Sequence, residues 1–292
     1  MHKPLGLLAE LTHRCPLGCP YCSNPLALDA REDELDTATW ARVFHEAAEL
    51  GVLQVHLSGG EPGARRDLVD ITAGAHAAGL YTNLITSAVG ITDKTLGALA
   101  EAGLDHVQIS IQDSGAQSAD HIAGYEGAFA KKRALAAEVV RRKLPLTVNA
   151  VVHRANIDRI VDMVDLARAL GASRIEIAHV QYYGWALKNR AALMPSREQV
   201  ERAATTVAEL RARHHAASSS MRWCPTTTHV IQSRASAVGV GAPSTSRRRA
   251  RCCPVTPPNR LPGLNSGTCA SVRSRTSGRI PRPSTPSAAP NG

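Results

Sequence analysis

Short apolar runs and amphipathic stretches alternate along the N-terminal three quarters of this chain. Runs at residues 5–11, 52–57, 81–86, 106–111, 144–152 and 174–180 have the length and the Val, Ile and Leu content of strands. Between them, helical spacing is predicted near 37–50, 65–78, 92–102, 127–142 and 155–170, with a last helix near 196–215. In the 155–170 stretch, Ile157, Ile160, Val161, Val164 and Leu170 fall on one stripe, as a helix packed on a sheet requires. Thr37 and Ser196 are the expected N-caps of their helices. Six β–α units with buried parallel strands predict an α/β fold whose sheet curves toward a barrel. A closed eight-unit barrel needs about 250 residues, so the pattern predicts an open (β/α)6 partial barrel over residues 1–215. Aromatic residues are only 3% of the chain, but Leu, Ile, Val and Ala supply a core of this size.

The pattern then stops. The chain carries a formal charge of +9, which on its own suggests an acidic or nucleic-acid partner. The last acidic residue, however, is Glu209, and residues 221–292 hold eleven arginines, no lysine, ten of the seventeen prolines and four of the seven cysteines. Without those arginines, 23 basic residues face 25 acidic ones, so the basic charge belongs to the tail alone. Stretches such as 244–251 and 281–286 show neither a strand nor a helix period. Residues 216–292 thus read as a low-complexity Arg/Pro/Ser tail, either natively disordered or translated out of frame from a GC-rich gene. The run from Cys224 to His229 can be back-translated so that the neighbouring frame reads Val-Pro-Asp-Tyr-Tyr-Ala, which favours the frameshift.

The densest chemistry is the loop after the first predicted strand, where Cys15, Cys19 and Cys22 stand in a C-x3-C-x2-C spacing. Three thiolates on one tight loop leave one iron of a [4Fe–4S] cube without a protein ligand, open to a small molecule. Pro16, Gly18 and Pro20 suit a curling loop. Structural zinc wants a second cysteine pair to close its four ligands, and none follows. His13 beside the loop reads as a loop residue. After the second strand comes Gly59-Gly60-Glu61-Pro62, a turn in which glycines permit close approach to a ligand and a carboxylate suits an ammonium group; alone it is also an ordinary strand-to-helix turn.

Ligands in such sheets sit beyond the C-terminal strand ends. That rule nominates Ser87 after the third strand, Ser110, Gln112 and Asp113 at the fourth, Asn149 on the fifth and His179 on the sixth. Each could instead only satisfy local backbone; Asp113 is the candidate catalytic base or substrate ligand.

The cysteine spacing followed by the Gly-Gly-Glu-Pro turn resembles the radical S-adenosylmethionine (SAM) superfamily. The resemblance implies that Cys15, Cys19 and Cys22 hold a [4Fe–4S] cluster whose open iron binds SAM, with Gly59, Gly60 and Glu61 meeting the SAM amino group. It implies that reductive cleavage yields a 5′-deoxyadenosyl radical; Ser87, Ser110, Asn149 and His179, nominated by the strand-end rule, are then candidates for the SAM carboxylate and ribose. The runs 9–25, 56–62, 106–110 and Gln181-Tyr182-Tyr183-Gly184-Trp185-Ala186-Leu187-Lys188-Asn189-Arg190 are similar to the peptide-cyclase family of pyrroloquinoline quinone (PQQ) biosynthesis. That resemblance covers residues 5–215. It implies a carbon–carbon cross-link between a Glu and a Tyr of the precursor peptide PqqA, with the peptide chaperone PqqD and an external electron donor as partners. The family continues into a C-terminal SPASM domain with auxiliary clusters, but Cys224, Cys252, Cys253 and Cys269 do not follow its motif, so those clusters carry over to no residue here. Another radical SAM peptide maturase, or a non-catalytic basic-tailed binding protein, are the alternative readings. An arginine tail makes phosphate contacts, but no aromatic platform accompanies it, so no nucleic-acid partner is expected. With no 18-residue apolar span and no signal peptide, no membrane partner is expected and the predicted location is the cytoplasm.

Overall fold

The computed structural model describes residues 4–216, with side chains to residue 213, and the backbone of short strands at 222–224, 250–251 and 271–272. Six strands, β1 (Gly6–Glu10), β2 (Gln54–Ser58), β3 (Tyr81–Thr86), β4 (His106–Ile111), β5 (Leu146–Val152) and β6 (Arg174–His179), lie side by side in chain order, all parallel. Short strand β7 (Arg222–Cys224) extends the sheet beside β6, while β8 (Ala250–Arg251) and β9 (Ser271–Val272) add antiparallel pairs beyond β1. The expected open α/β sheet is present, and the expectation for the tail otherwise falls on residues outside those described.

Helices return the chain after each strand: α1 (Thr37–Glu49), α2 (Leu68–Ala77), α3 (Asp93–Glu101), the pair α4 (Ala116–Ala123) and α5 (Ala128–Arg141), and α6 (Ile160–Ala169). After β6 come α7 (Gly184–Lys188), α8 (Arg190–Leu193) and α9 (Arg197–Ala216). Two local expectations are corrected. The cap of α1 is Asp36, whose carboxylate accepts the Thr39 amide at 2.8 Å, while the Thr37 hydroxyl donates to Asp67 at 2.7 Å. Asp suits the cap as well as Thr does, and the helix starts one residue earlier in phase. On the sixth helix, Val161 is 39% exposed; Ile160, Met163, Val164 and Ala167 make the buried stripe, because a spacing of three and four fixes the face. Ser196 does cap α9: it takes the Gln199 amide on its hydroxyl, while the Gln199 side chain accepts the Ser196 amide.

The two faces of the sheet differ in chemistry. Leu7, Ala9 and Leu11, Val55 and Leu57, Leu84, Val107, Ile109 and Ile111, Leu146, Val148 and Ala150, and Ile175 are all buried, in one core with Phe44, Ile71, Leu96, Leu99, Val139 and Val164 of the helices. Fully burying one such side chain contributes about 1.5–3 kcal/mol. The alternate residues face the concave side and are largely polar, among them His56, Asn83, Gln108, Ser110, Asn149 and Glu176, with Leu8, Ile85, Val151 and Ala178 between them. A parallel sheet buried on both faces would be apolar throughout; this one keeps a polar inner wall.

Behind the mouth of this wall a buried ionic strut ties three elements. Arg65 donates to the Leu11 carbonyl at 3.0 Å and to both oxygens of Asp67 at 2.9 and 2.6 Å, and its guanidinium lies 3.6 Å from Glu34. Glu34 in turn accepts from the Thr12 hydroxyl at 2.5 Å and pairs with Arg14. The Arg65 guanidinium holds the Asp67 carboxyl down at about 2, against an ordinary 3.8. A carboxyl with a lowered folded pKa stabilises the fold above its unfolded pKa and loses that contribution as pH falls. Asp67→Asn is therefore expected to be less stable than wild type by about 1–2 kcal/mol at pH 7. The gap should close between about pH 4 and pH 2, as followed by thermal melts across that range.

Candidate active site

The three cysteines sit on the loop that leaves β1, and all three are free thiols. The Cys22 amide donates to the Cys19 carbonyl at 3.1 Å, closing a turn, and the Gly18 amide donates to the Ala123 carbonyl at the end of α4 at 2.8 Å. The three sulfurs act on one another electrostatically, yet among the described residues no three His, Cys, Asp or Glu side chains are close enough to hold a single ion. A cube makes no such demand, since each thiolate binds a different iron. Burial pushes the Cys19 thiol up to about 11; a coordinating metal removes such a proton outright. The Asn24 amide already points at the Cys22 sulfur, at 3.5 Å.

The Gly-Gly-Glu-Pro turn lies directly against the stem of this loop. The Gly60 amide donates to the Thr12 carbonyl at 2.6 Å and the Glu61 amide to the Arg14 carbonyl at 2.8 Å. A Cβ on Gly60 would stand 2.5 Å from the carbonyl oxygens of His13 and Arg14, and one on Gly59, where φ is +138°, would overlap the Thr12 carbonyl. The glycines are needed because backbone meets backbone here. The Glu61 side chain is 1% exposed and takes four donors: the Gly63 amide (2.9 Å), the Thr86 hydroxyl (2.7 Å), and the Ser87 amide and hydroxyl (both 2.6 Å). Its lone pairs are filled, so the carboxylate joins the rims of β2 and β3 and has no acceptor left for an ammonium group. Ser87 is thereby placed beside the turn.

Lys132 was not singled out from the sequence, although a signal was there. It interrupts the buried stripe of α5 formed by Ala128, Phe129, Leu135, Ala136 and Val139, and a charge in that phase demands a partner. Its side chain is wholly buried, and Nζ donates to the Ser87 carbonyl at 2.7 Å. Burial lowers its pKa to about 8, against the pull of Cys19, Glu61, Cys15 and Asp120.

On the inner wall, register places Ser110 beside Asn149 and Asn149 beside Glu176, a polar row across β4, β5 and β6. Glu176 escaped notice because it reads as one polar position in an alternating strand; burial raises its pKa. Several buried polar atoms of this wall lack a hydrogen-bond partner: His56 Nε2, Asn83 Oδ1, Gln112 Oε1, Asn149 Oδ1 and His153 Nε2. Orphaned groups in such number are expected where a polar ligand sits. His179, at the end of β6, is exposed at the rim, and partial desolvation of its ring lowers its pKa. Asp113 is placed differently. It is fully buried, paired with Arg159, and accepts from the Ser118 hydroxyl and the Ser114 amide. Burial works to raise its pKa, but these donors outweigh it and hold the carboxyl below its ordinary range. A carboxylate so held is a poor base, and its work is to fasten β4 to the turn before α6.

Known proteins match this arrangement. The model of the radical SAM superfamily matches residues 9–167. A PqqA peptide cyclase of Methylocella silvestris is 68% identical over 209 residues, covering 72% of this chain and 56% of that protein. PqqA peptide cyclases of Ruegeria pomeroyi and Rhizobium meliloti are 60% and 56% identical over 210 and 211 residues, again 72% of this chain and 56% of each. The chain thus spans about half the length of the curated relatives it matches. Among solved structures, Streptococcus suis SuiB bound to S-adenosylmethionine aligns with a TM-score of 0.64 at 19% identity, covering 76% of this chain and 50% of that one. SuiB bound to its precursor peptide SuiA aligns at 0.62 and 20% identity, covering 73% and 47%. At such identities the likeness is one of fold, the open six-stranded barrel. With its cysteine loop, its Gly-Gly-Glu-Pro turn and more than half its length matched, this chain belongs to the radical SAM superfamily.

Proposed function

We propose that this chain is the catalytic core of a PqqA peptide cyclase, joining a Glu and a Tyr side chain of the precursor peptide by a carbon–carbon bond. The observation that carries the proposal is the set of three free thiols on one loop, seated over a polar wall with unpartnered buried acceptors. Cys15, Cys19 and Cys22 would hold a [4Fe–4S] cluster, leaving one iron open for SAM. Bound together, these two cofactors supply a carbon radical able to take hydrogen from an unactivated carbon of the peptide. The chain's own residues bind and orient. The backbone of Gly59–Glu61 meets the SAM amino group, with the Glu61 carboxylate fixing that backbone to Ser87. Lys132 puts a positive charge beneath the same rim, suited to the SAM carboxylate, and Ser110 and Asn149 offer directional hydrogen bonds to carboxylate and ribose. Ser87 and His179 complete the rim. Asp113 is left out of the chemistry.

Residues 1–215 form the core in this reading, and 216–292 stand in place of the SPASM domain. The extent of the matches, 209–211 residues, supports that boundary. PqqA, the chaperone PqqD and an external electron donor are the proposed partners. No helix among the described residues is long and apolar enough to cross a membrane, in keeping with a proposed cytoplasmic site.

Three outcomes are expected. Anaerobically reconstituted protein should bind about four irons, and the Cys15→Ala/Cys19→Ala/Cys22→Ala variant should bind none by iron assay and lose its brown absorbance; retention of a full cluster would defeat the assignment. Lys132→Met should weaken SAM binding about tenfold, roughly one charge-assisted hydrogen bond, while keeping its iron. Equal affinity by equilibrium dialysis would remove Lys132 from the site. Supplied with dithionite, SAM and PqqA, the chain should release 5′-deoxyadenosine slowly without cross-linking the peptide, and fusion of residues 1–215 to a relative's C-terminal region should restore the cross-link, read by mass spectrometry. A fusion that cleaves SAM but joins a different peptide would assign the chain to another maturase.

A further inference from the structure

The superfamily match ends at residue 167, yet a segment beyond it grips the cysteine loop. After β6 the chain turns at Tyr183, enters α7 and leaves it at Asn189. Three contacts run from this segment to the loop between its last two cysteines and just past them. The Ala186 amide, a first-turn donor with no partner inside its own helix, donates to the Cys22 carbonyl at 2.9 Å. The Asn189 side-chain amide donates to the Pro20 carbonyl at 3.0 Å. Gly184, at φ +50°, lies so close to the Asn24 carbonyl that a Cβ there would overlap it. Beneath these contacts Ala186, Leu193 and Val180 are buried together, with Tyr21, Val151 and Tyr182 packed on them. Tyr21 stands between the last two cysteines and accepts a hydrogen bond from Gln112 Nε2 at 3.0 Å, so the loop is fixed from the barrel side as well.

Residue 24 gives this grip a chemical consequence. Its amide donates to the Cys22 sulfur at 3.5 Å, and its side-chain amide reaches the His13 carbonyl at 3.4 Å. Amide hydrogen bonds to a cluster sulfur draw electron density from it and help set the reduction potential. Gly184 presses on the carbonyl of the same residue, while Ala186 holds the carbonyl of Cys22 itself.

We propose that residues 183–189 are a clamp on the cluster loop, whose positioning residues Gly184 and Asn189 hold the Asn24 amide on the Cys22 sulfur and thereby set how readily the cluster takes an electron. This rests on the reading of Cys15, Cys19 and Cys22 as cluster ligands. Opening the clamp lets the Asn24 amide leave the sulfur, so the thiolate keeps more charge and the cluster becomes harder to reduce.

The test compares wild type, Asn189→Ala and Gly184→Ala as full-length chains, each reconstituted with iron and sulfide. Asn189→Ala removes one side-chain donor at a partly buried site, whereas Gly184→Ala forces the clamp open and has the greater chance of misfolding; metal-free melting curves monitor that. Expected for Asn189→Ala is an unchanged melt, a midpoint potential shifted to more negative values in EPR-monitored titration, and iron lost to a chelator several-fold faster. Gly184→Ala should shift both further in the same sense. A potential and a chelation rate equal to wild type in Asn189→Ala would overturn the clamp, as would a lowered melt with an unmoved potential, which marks packing alone. If wild type itself takes up no iron, the cluster reading fails and the clamp falls with it, a result distinct from a loaded wild type with loaded, unaltered variants.

Discussion

The site depends on one close approach, the end of β2 lying against the stem of the cysteine loop. Gly60 and Glu61 donate their amides to the carbonyls of Thr12 and Arg14, at distances no residue with a Cβ at 59 or 60 would allow. Neighbouring parallel strands would otherwise diverge once the ladder ends at Glu10 and Ser58. These two bonds carry the pairing past it, and the cysteine loop leaves from a rigid base. The Glu61 carboxylate then extends the same rim to β3 by gathering the Thr86 hydroxyl and both donors of Ser87. A buried carboxylate is costly unless its acceptors are filled. Here all are filled, so a residue type suited to a ligand serves to hold the ligand's surroundings.

A second condition is the division of the sheet into an apolar outer face and a polar inner one. The outer face packs α1, α2, α3, α5, α6 and α9 and supplies the burial that holds the fold together. The inner face gives up part of that burial. His56 and Asn83 hydrogen-bond each other at 2.8 Å, and His106 bonds Thr147 at 2.8 Å, low in the wall. Burial drives the His106 pKa down to about 4, so this floor is neutral. Polar atoms of the wall go unmatched at both levels, His56 Nε2 and Asn83 Oδ1 low down and Asn149 Oδ1, Gln112 Oε1 and His153 Nε2 nearer the strand ends. Unsatisfied buried polar atoms along this wall are a cost that a bound polar cofactor removes.

Much of this was legible in the chain. The runs at 81–86 and 106–111 coincide with β3 and β4, since each is bounded by turn residues and filled with β-formers. The runs at 5–11 and 144–152 overshoot because Leu5, Leu11 and Leu144 continue the apolar pattern without continuing the ladder. The cysteine loop and the Gly-Gly-Glu-Pro turn could be read because their spacing is local. What escaped was set by tertiary contact. Sequence gives Asp113 as a carboxylate at a strand end, but only the fold brings Arg159 to it. It gives Glu61 as a free carboxylate in a turn, whereas the fold delivers four donors. Lys132 and Glu176 are single charges whose meaning lies in what surrounds them, and α4 is short enough that its three buried residues, Ala119, Ile122 and Ala123, form no visible period.

Lys132 shows how these constraints combine. An ammonium group without solvent is tolerated only where negative charge or good acceptors compensate it. In the folded chain its hydrogen bond goes to a neutral carbonyl, that of Ser87, and the acidic groups that act on it are the thiols of Cys15 and Cys19 and the carboxylates of Glu61 and Asp120. Two of those four are cysteines, which carry charge only once deprotonated. Asp120 meanwhile spends its oxygens on the amides of Gly127 and Phe129, and Glu61 spends its own on the rim. The lysine's hydrogen bond is thus to a neutral carbonyl, and half of the acidic groups acting on it are uncharged while the thiols keep their protons. Deprotonation of the thiols and burial of the lysine favour each other: the cation lowers the thiol pKa, and the thiolates repay the desolvation of the cation. The fold has thus placed a fixed positive charge where loading the cysteine loop would create negative charge, on a helix whose own stripe would otherwise be apolar.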